Sequence, residues 1–455
     1  MPEPRRGAGG IPRSALHLAV VLVVALAVRV AFIPWHGFAA DRVLTPDSSV
    51  YLELGRNLAE EGSFGRSPES PAGAVENPST FEIFRTPGYP AVIAALSRIT
   101  PYVLPATVCL GVLLDVALVA LVYLTARSLV EPGWALAAAA FVAVDLGHVV
   151  YANMVMSDAL FAFLVGLAAC ALMYPAASRP LVIPLAAVAL TFACAVRPVG
   201  TLMFAPAAAM LALRRVAPRR IVAFAMLALA FPVLWTVRNG LGAGFWSVSN
   251  ALDYNLCLVT AARVEAASTG TTFRDASRAL VGAAVRSSPG DDPARRSAAF
   301  VRTGLGVLRS HPGATLREAG LSLGEFAFAG ERRNLLQLIG LPTAESAAPS
   351  IGESVRGGPT RLAAAWAAPR SELLLVAVPA AWNFALWIAA TAGSVALARG
   401  GRWPELTLLG GLVAYVAAAS IAVANGRMRM PVTGVLAVLA VYGIRQFTRA
   451  RSGAA

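Results

Sequence analysis

Apolar residues fall into ten runs along the chain. They lie at about Ser14–Trp35, Leu104–Arg127, Trp134–Val150, Ala159–Pro175, Leu181–Val196, Val199–Leu213, Ile221–Val237, Glu372–Ala398, Glu405–Ala424 and Met430–Phe447. A helix crossing the hydrocarbon core of a bilayer needs about 20 such residues, so the pattern predicts an all-α polytopic membrane protein of about ten spans. Two wetter stretches interrupt it: His36–Pro101, and Asn239–Ser371 with 133 residues. The chain therefore divides into an N-terminal transmembrane module (1–238) carrying a first loop (36–103), an insert (239–371) and three C-terminal spans (372–455). No short-period repeat is visible.

The wet stretches carry a helical pattern of their own. Val50, Tyr51, Leu54 and Leu58 recur at helical spacing after Pro46-Asp47-Ser48, which predicts an amphipathic helix on the membrane surface, capped by Asp47 or Ser48. Within the insert, helices are expected near Phe273–Arg286, Pro293–Ser310 and Ala314–Phe328, separated by Pro289-Gly290 and Pro312-Gly313. The Ser-, Gly- and Pro-rich stretch Thr343–Thr360 reads as mobile.

Composition agrees with a membrane protein. Apolar residues make up 57% of the 455 and charged residues 14%, against about 25% charged in soluble domains. That excludes an ordinary soluble enzyme and a disordered chain. The net charge is +13, and the 38 basic residues are all Arg. Basic loops holding the orientation of a membrane protein account for this without a nucleic-acid partner. The four cysteines show neither disulfide-framework nor zinc spacing. Arg5, Arg6 and Arg13 precede the first run as in a signal peptide, but the run is too long for one and reads as a retained first span.

Threading the chain with a cytoplasmic N-terminus places most Arg clusters, such as Arg214–Arg220, inside. Both wet stretches then lie outside. So do Arg197-Pro198, Arg238-Asn239 and Asn425-Gly426-Arg427-Met428-Arg429, whose arginines run against the positive-inside trend. Arginine at the membrane boundary usually has an anionic partner. Arg85, Arg197, Arg238, Arg427 and Arg429 are therefore candidates for holding a phosphate. Pairing with Asp145, Asp158 or lipid headgroups is the plainer alternative. Asp47, just past the first span, can accept a proton from a hydroxyl or serve as a helix cap. Asp158, beside Ser157 at the start of the fourth run, has the same two readings. Tyr51 and Tyr89, with Asn239 and Asn425 beside the outlying arginines, are candidates for the pocket wall. Arg29 and Asp115, inside the first two runs, are expected to pair. His148 and His311 show no metal-ligand spacing.

The run Asp47-Ser48 … Tyr51 … Leu58 … Gly62 … Phe84-Arg85-Thr86-Pro87-Gly88-Tyr89-Pro90 resembles the first outer loop of the GT-C glycosyltransferases. It is most similar to bacterial relatives of the protein O-mannosyltransferases and the lipid A aminoarabinose transferase. Met156-Ser157-Asp158-Ala159-Leu160-Phe161 resembles that superfamily's acidic motif after the third span. The resemblance covers roughly Leu16–Asn255 well and the last three spans loosely. It implies a cell-envelope enzyme of the inner (plasma) membrane with its site on the outer face. Such an enzyme moves a sugar from a polyprenyl-phosphate donor to an acceptor hydroxyl on a lipid, glycan or protein. It implies Asp47 as catalytic base, with Asp158 as helper. Relatives that bind a divalent metal use extra acids; here Asp47 is followed by Ser48, so the metal is left open. One carboxylate base without a second carboxylate nucleophile fits single, inverting displacement. A lipid-linked sugar flippase and a non-catalytic envelope-assembly protein stand as alternatives.

Overall fold

The computed structural model describes residues 13–67, 80–174, 181–290, 292–341, 356, 363, 370–423 and 425–452. All ten apolar runs are helical. Five helices are long and apolar enough to cross a membrane, and two bent pairs bring the number to seven. Three shorter apolar helices, Asp158–Met173, Val182–Val196 and Pro198–Leu213, complete the set. The chain is a multi-pass membrane protein.

In chain order the helices that build the bundle and its loop are α1 (Arg13–Val30), α2 (Pro46–Glu60), α3 (Gly88–Ile99), α4 (Val103–Arg127), α5 (Pro132–Val144) and α6 (Leu146–Ala152). They continue with α7 (Asp158–Met173), α8 (Val182–Val196), α9 (Phe204–Leu213), α10 (Pro218–Ala228) and α11 (Ala230–Ala243). The insert holds α12 (Phe273–Arg286), α13 (Pro293–Ser310), α14 (Pro312–Phe328) and α15 (Arg332–Ile339). The last spans are α16 (Arg370–Arg399), α17 (Trp403–Ser420) and α18 (Met430–Ser452). Among the described residues the one β-type pairing is an isolated bridge between Gly65 and Phe81. The stretch Thr343–Thr360 lies outside the described residues apart from Arg356.

Two expected spans are broken, each for a local reason. The third bends by 53° between α5 and α6. Asp145 at the break is extended, and its carboxylate accepts the His148 N–H at 3.1 Å, capping α6 as a separate helix. The seventh bends by 42° between α10 and α11. Pro232 lacks the N–H that would bond the Ala228 carbonyl. The Thr191 hydroxyl of α8 takes that carbonyl instead, at 3.1 Å, and accepts the Phe231 N–H at 3.2 Å. A neighbouring helix thus satisfies backbone groups that lipid could not.

The expected Arg29–Asp115 pair is present and fully buried. Arg29 Nε donates to Asp115 Oδ2 at 2.7 Å, and Arg29 Nη1 donates to the carbonyls of Ala25 and Ala143 at 2.8 Å each. His148 Nδ1 lies 2.6 Å from Asp115 Oδ1. One carboxylate thereby fastens α1, α4 and the α5–α6 break together. α18 is buried along most of its length and packs against α16, α5, α7 and α4, making it the central strut of the bundle.

Candidate functional site

The first loop builds the site from α2. Its cap is Thr45, not Asp47 or Ser48 as the sequence suggested. Ser48 closes the capping box: its Oγ accepts the Thr45 N–H at 2.9 Å and donates to the Val155 carbonyl at 2.8 Å. The Val155 N–H in turn donates to the Val43 carbonyl at 3.0 Å. These bonds stitch the loop to the segment just before α7. Asp47 sits in the first turn of α2, its carboxylate free of capping duty.

Three guanidiniums converge on two carboxylates there. Asp47 Oδ1 accepts from Arg85 Nη2 at 2.7 Å, and its Oδ2 accepts from Arg427 Nη1 at 2.8 Å. Arg427 Nε also donates to both oxygens of Asp158, at 3.0 Å each. Arg197 Nη1 donates to Asp158 Oδ1. Asp158 is fully buried, whereas the Asp47 side chain is 30% exposed. Burial by itself would raise the Asp47 carboxyl; Arg85 and then Arg427 outweigh it and hold the group well below the usual carboxylate range. The cluster carries one positive charge in excess.

Arg85 is braced from several sides. Phe84-Arg85 is anchored by Glu82, whose Oε1 accepts the N–H groups of Phe84 and Arg85 at 2.5 and 2.7 Å. Arg66 pairs with the other Glu82 oxygen at 3.3 Å. The Arg85 guanidinium lies over the rings of Phe84 and Tyr51, 4.6 and 5.3 Å from their centroids. Tyr51 Oη is 3.3 Å from Ser157 Oγ, and its ring meets Tyr89 edge-on at 5.1 Å. Gly88 follows Pro87 where the loop touches the end of α8. A Cβ there would lie 2.6 Å from the Ala195 carbonyl, so only glycine lets this turn approach the Arg197 corner. Gly88→Ala is expected to displace the turn bearing Arg85 and to lower thermal stability, read by melting of the purified protein.

The remaining candidates lie apart from this cluster. Arg238 donates to the carbonyls of Glu82 and Phe64, and its Cζ sits 3.6 Å from the Phe81 ring centroid. Arg429 donates to the carbonyls of Phe326, Ala327 and Ala329, at 2.6, 2.9 and 3.2 Å. Both hold backbone. Asn239 is buried and donates to the carbonyls of Ser247 and Val248. Asn425 is exposed beside the turn Gly426–Arg429. Sequence reasoning passed over Glu82, Tyr151 and Glu331. Glu82, three residues before Arg85, is the one with a local signal.

Among the described residues no group of three or more His, Cys, Asp or Glu side chains is placed to hold a metal ion. The two carboxylates at the site already bond three guanidiniums, a donor set unsuited to a divalent cation.

No known family pattern and no curated protein sequence matches the chain. Solved structures do. The oligosaccharyltransferase of Archaeoglobus fulgidus in the apo form superposes with a TM-score of 0.52 at 15% identity, over 97% of this chain and 52% of that one. The same organism's AglB, in complex with an inhibitory peptide and a dolichol-phosphate, gives 0.51 at 15% identity over 97% and 52%. ArnT from Cupriavidus metallidurans bound to undecaprenyl phosphate aligns more loosely, with a TM-score of 0.37 and 14% identity over 95% and 77%. The chain has the GT-C fold. It spans about half the length of the oligosaccharyltransferase it matches.

Proposed function

We propose that the protein is a GT-C-type glycosyltransferase of the inner membrane that moves a sugar from a polyprenyl-phosphate donor to an acceptor hydroxyl on the outer face. The observation that carries this reading is Asp47, a carboxylate bridged by Arg85 and Arg427 at one end of the bundle. Such a site has the two parts the reaction needs: a proton acceptor and positive charge for a departing phosphate. The acceptor oxygen bonds to the anomeric carbon as the carbon–oxygen bond to phosphate breaks. The hydroxyl proton goes to Asp47, and the polyprenyl phosphate leaves with the bonding electrons. One displacement inverts the anomeric carbon.

Arg85 and Arg427 are the proposed donor-phosphate ligands, with Arg197 holding Asp158 behind them. Donor phosphate competes with Asp47 for the two guanidiniums. Binding therefore loosens the contacts that depress the carboxylate, and its basicity rises when the hydroxyl arrives. Tyr51 and Tyr89, which meet edge-on beside Arg85, are the proposed wall on the substrate side. The acceptor is a lipid, glycan or protein hydroxyl.

The test is direct. Purified protein in a bilayer, given labelled polyprenyl-phosphate sugar, is expected to break the sugar–phosphate bond. Arg85→Ala is expected to weaken donor use tenfold or more, because a charge-assisted contact contributes about 1.5–3 kcal/mol. Transbilayer movement of an intact donor without bond cleavage would make the protein a flippase instead. The orientation has its own check. In a Cys109→Ser background, a membrane-impermeant thiol reagent is expected to label Ser287→Cys from outside and to miss Ala217→Cys, both exposed positions. The reverse pattern would turn the site to the cytoplasm. Because the acid pair does not suit a cation, a chelator is expected to leave transfer rates unchanged.

A further inference from the structure

Glu331 stands at the head of α15, where the insert returns to the bundle, and its side chain is buried. The Tyr151 hydroxyl donates to Glu331 Oε2 at 2.5 Å, and Asn334 Nδ2 donates to that same hydroxyl at 2.8 Å. The other oxygen, Oε1, is buried with no hydrogen-bond partner. It lies against Gly426, where a Cβ would stand 2.5 Å from it and 2.4 Å from the Ala329 carbonyl. Gly426 opens the turn bearing Arg427 and Arg429, and the Tyr151 ring centroid is 5.9 Å from Arg427 Cζ. The carboxyl thus sits behind the guanidinium that bridges Asp47 and Asp158.

We propose that Glu331 is a positioning residue of this site that takes up a proton when an anionic phosphodiester binds at Arg427, leaving the positive charge of Arg427 available to the phosphate. The inference rests on the donor-phosphate reading above. Four observations carry it. An ionised carboxylate with one bare buried oxygen is costly, and protonation removes the cost. The groups facing Glu331 are mixed. Arg427 and Arg429 on the turn favour the charge. Asp158 at the head of α7 opposes it, and Asp145 at the head of α6 is near, its carboxylate and the Glu331 side chain both bordering Gly147. Arg429 has three backbone carbonyls as partners, so its charge is shared. Burial pushes the Glu331 carboxyl up to about 7, against the pull of Tyr151, Arg429 and Arg427. A phosphodiester at Arg427 adds a like charge beyond the guanidinium and drives proton uptake.

The test uses full-length protein in nanodiscs and undecaprenyl methyl phosphate, a phosphodiester whose single charge does not titrate between pH 6 and 8. Wild-type Kd is expected to rise about fivefold from pH 6 to pH 8 for one unit of coupling. Calorimetry in two buffers of different ionisation enthalpy should show net proton uptake at pH 7. Glu331→Gln fixes the neutral form. It should bind at pH 8 as wild type does at pH 6 and lose the uptake. Tyr151→Phe removes the hydrogen bond that favours the ionised carboxylate, so it should move the pH at which binding weakens upward. Glu331→Gln protein that keeps the wild-type pH dependence, or Tyr151→Phe protein with an unmoved midpoint, overturns the inference while leaving the donor site standing. Wild-type protein that binds the probe at no pH overturns both.

Discussion

Asp47→Asn protein is expected to fold, to bind a polyprenyl-phosphate donor, and to transfer sugar about 10²–10⁴-fold more slowly than wild type, the usual cost of losing a general base. The substitution is a clean one because of where the residue sits. Thr45 caps α2, and Ser48 closes the box and holds the Val155 carbonyl, so neither task falls to Asp47. Asn keeps the size and a hydrogen-bonding oxygen but cannot take the hydroxyl proton. It also stops competing for Arg85 and Arg427, so donor affinity should hold or improve. Measured together, unchanged folding, intact binding and collapsed turnover identify a base. Wild-type turnover in the variant would move the chemistry to Asp158. The pH profile gives a second reading. In the free enzyme the two guanidiniums hold Asp47 below the usual carboxylate range, so the acid limb of kcat/KM should lie below that range too. In the donor complex the phosphate draws on those guanidiniums, so the acid limb of kcat should sit at higher pH.

Asp115→Ala is expected to be among the most damaging substitutions outside the site. It leaves Arg29 as an uncompensated charge in a fully buried position, and breaking such a pair costs about 3–5 kcal/mol. The sign is opposite for the pair removed as a unit. Arg29→Met with Asp115→Leu takes away both charges of the pair and should recover part of the loss; the buried His148 ring loses its Asp115 partner, while the His148 backbone N–H keeps the Asp145 cap. Thermal melting of the three proteins in detergent checks this. A double variant no more stable than Asp115→Ala would mean that the network holds the α5–α6 break in a way apolar packing cannot replace.

Much of this architecture was legible in the pattern of residues. Each apolar run became a helix, because a helix is the form in which an apolar segment satisfies its own backbone in lipid. The breaks were harder to see. Asp145 reads as an ordinary polar residue until its carboxylate is found capping α6, and the bend at Pro232 depends on Thr191 from another helix. At the site, charge against the orientation trend singled out Arg197 and Arg427, and in the structure both pair with carboxylates. It could not separate them from Arg238 and Arg429, which find backbone carbonyls, because a carbonyl leaves no trace in the residue sequence. Glu331 was invisible for a similar reason. Its setting is made by Tyr151 and Gly426, which are distant along the chain and come together only on folding.

The bond between Asp47 and Arg427 joins residues 380 apart. A ribosome adding about 5–20 residues per second needs roughly 20–80 s to pass from one to the other. Throughout that interval the first loop is already made, while the guanidinium meant to face it has not been translated. Until the turn before α18 is in place, Asp47 lacks one of its two cations, and Asp158 lacks the partner that spans both of its oxygens. The cluster is therefore a property of the completed bundle. A chain stalled before its last hairpin presents Asp47 and Arg85 without Arg427, one of the two guanidiniums proposed above to hold the donor phosphate.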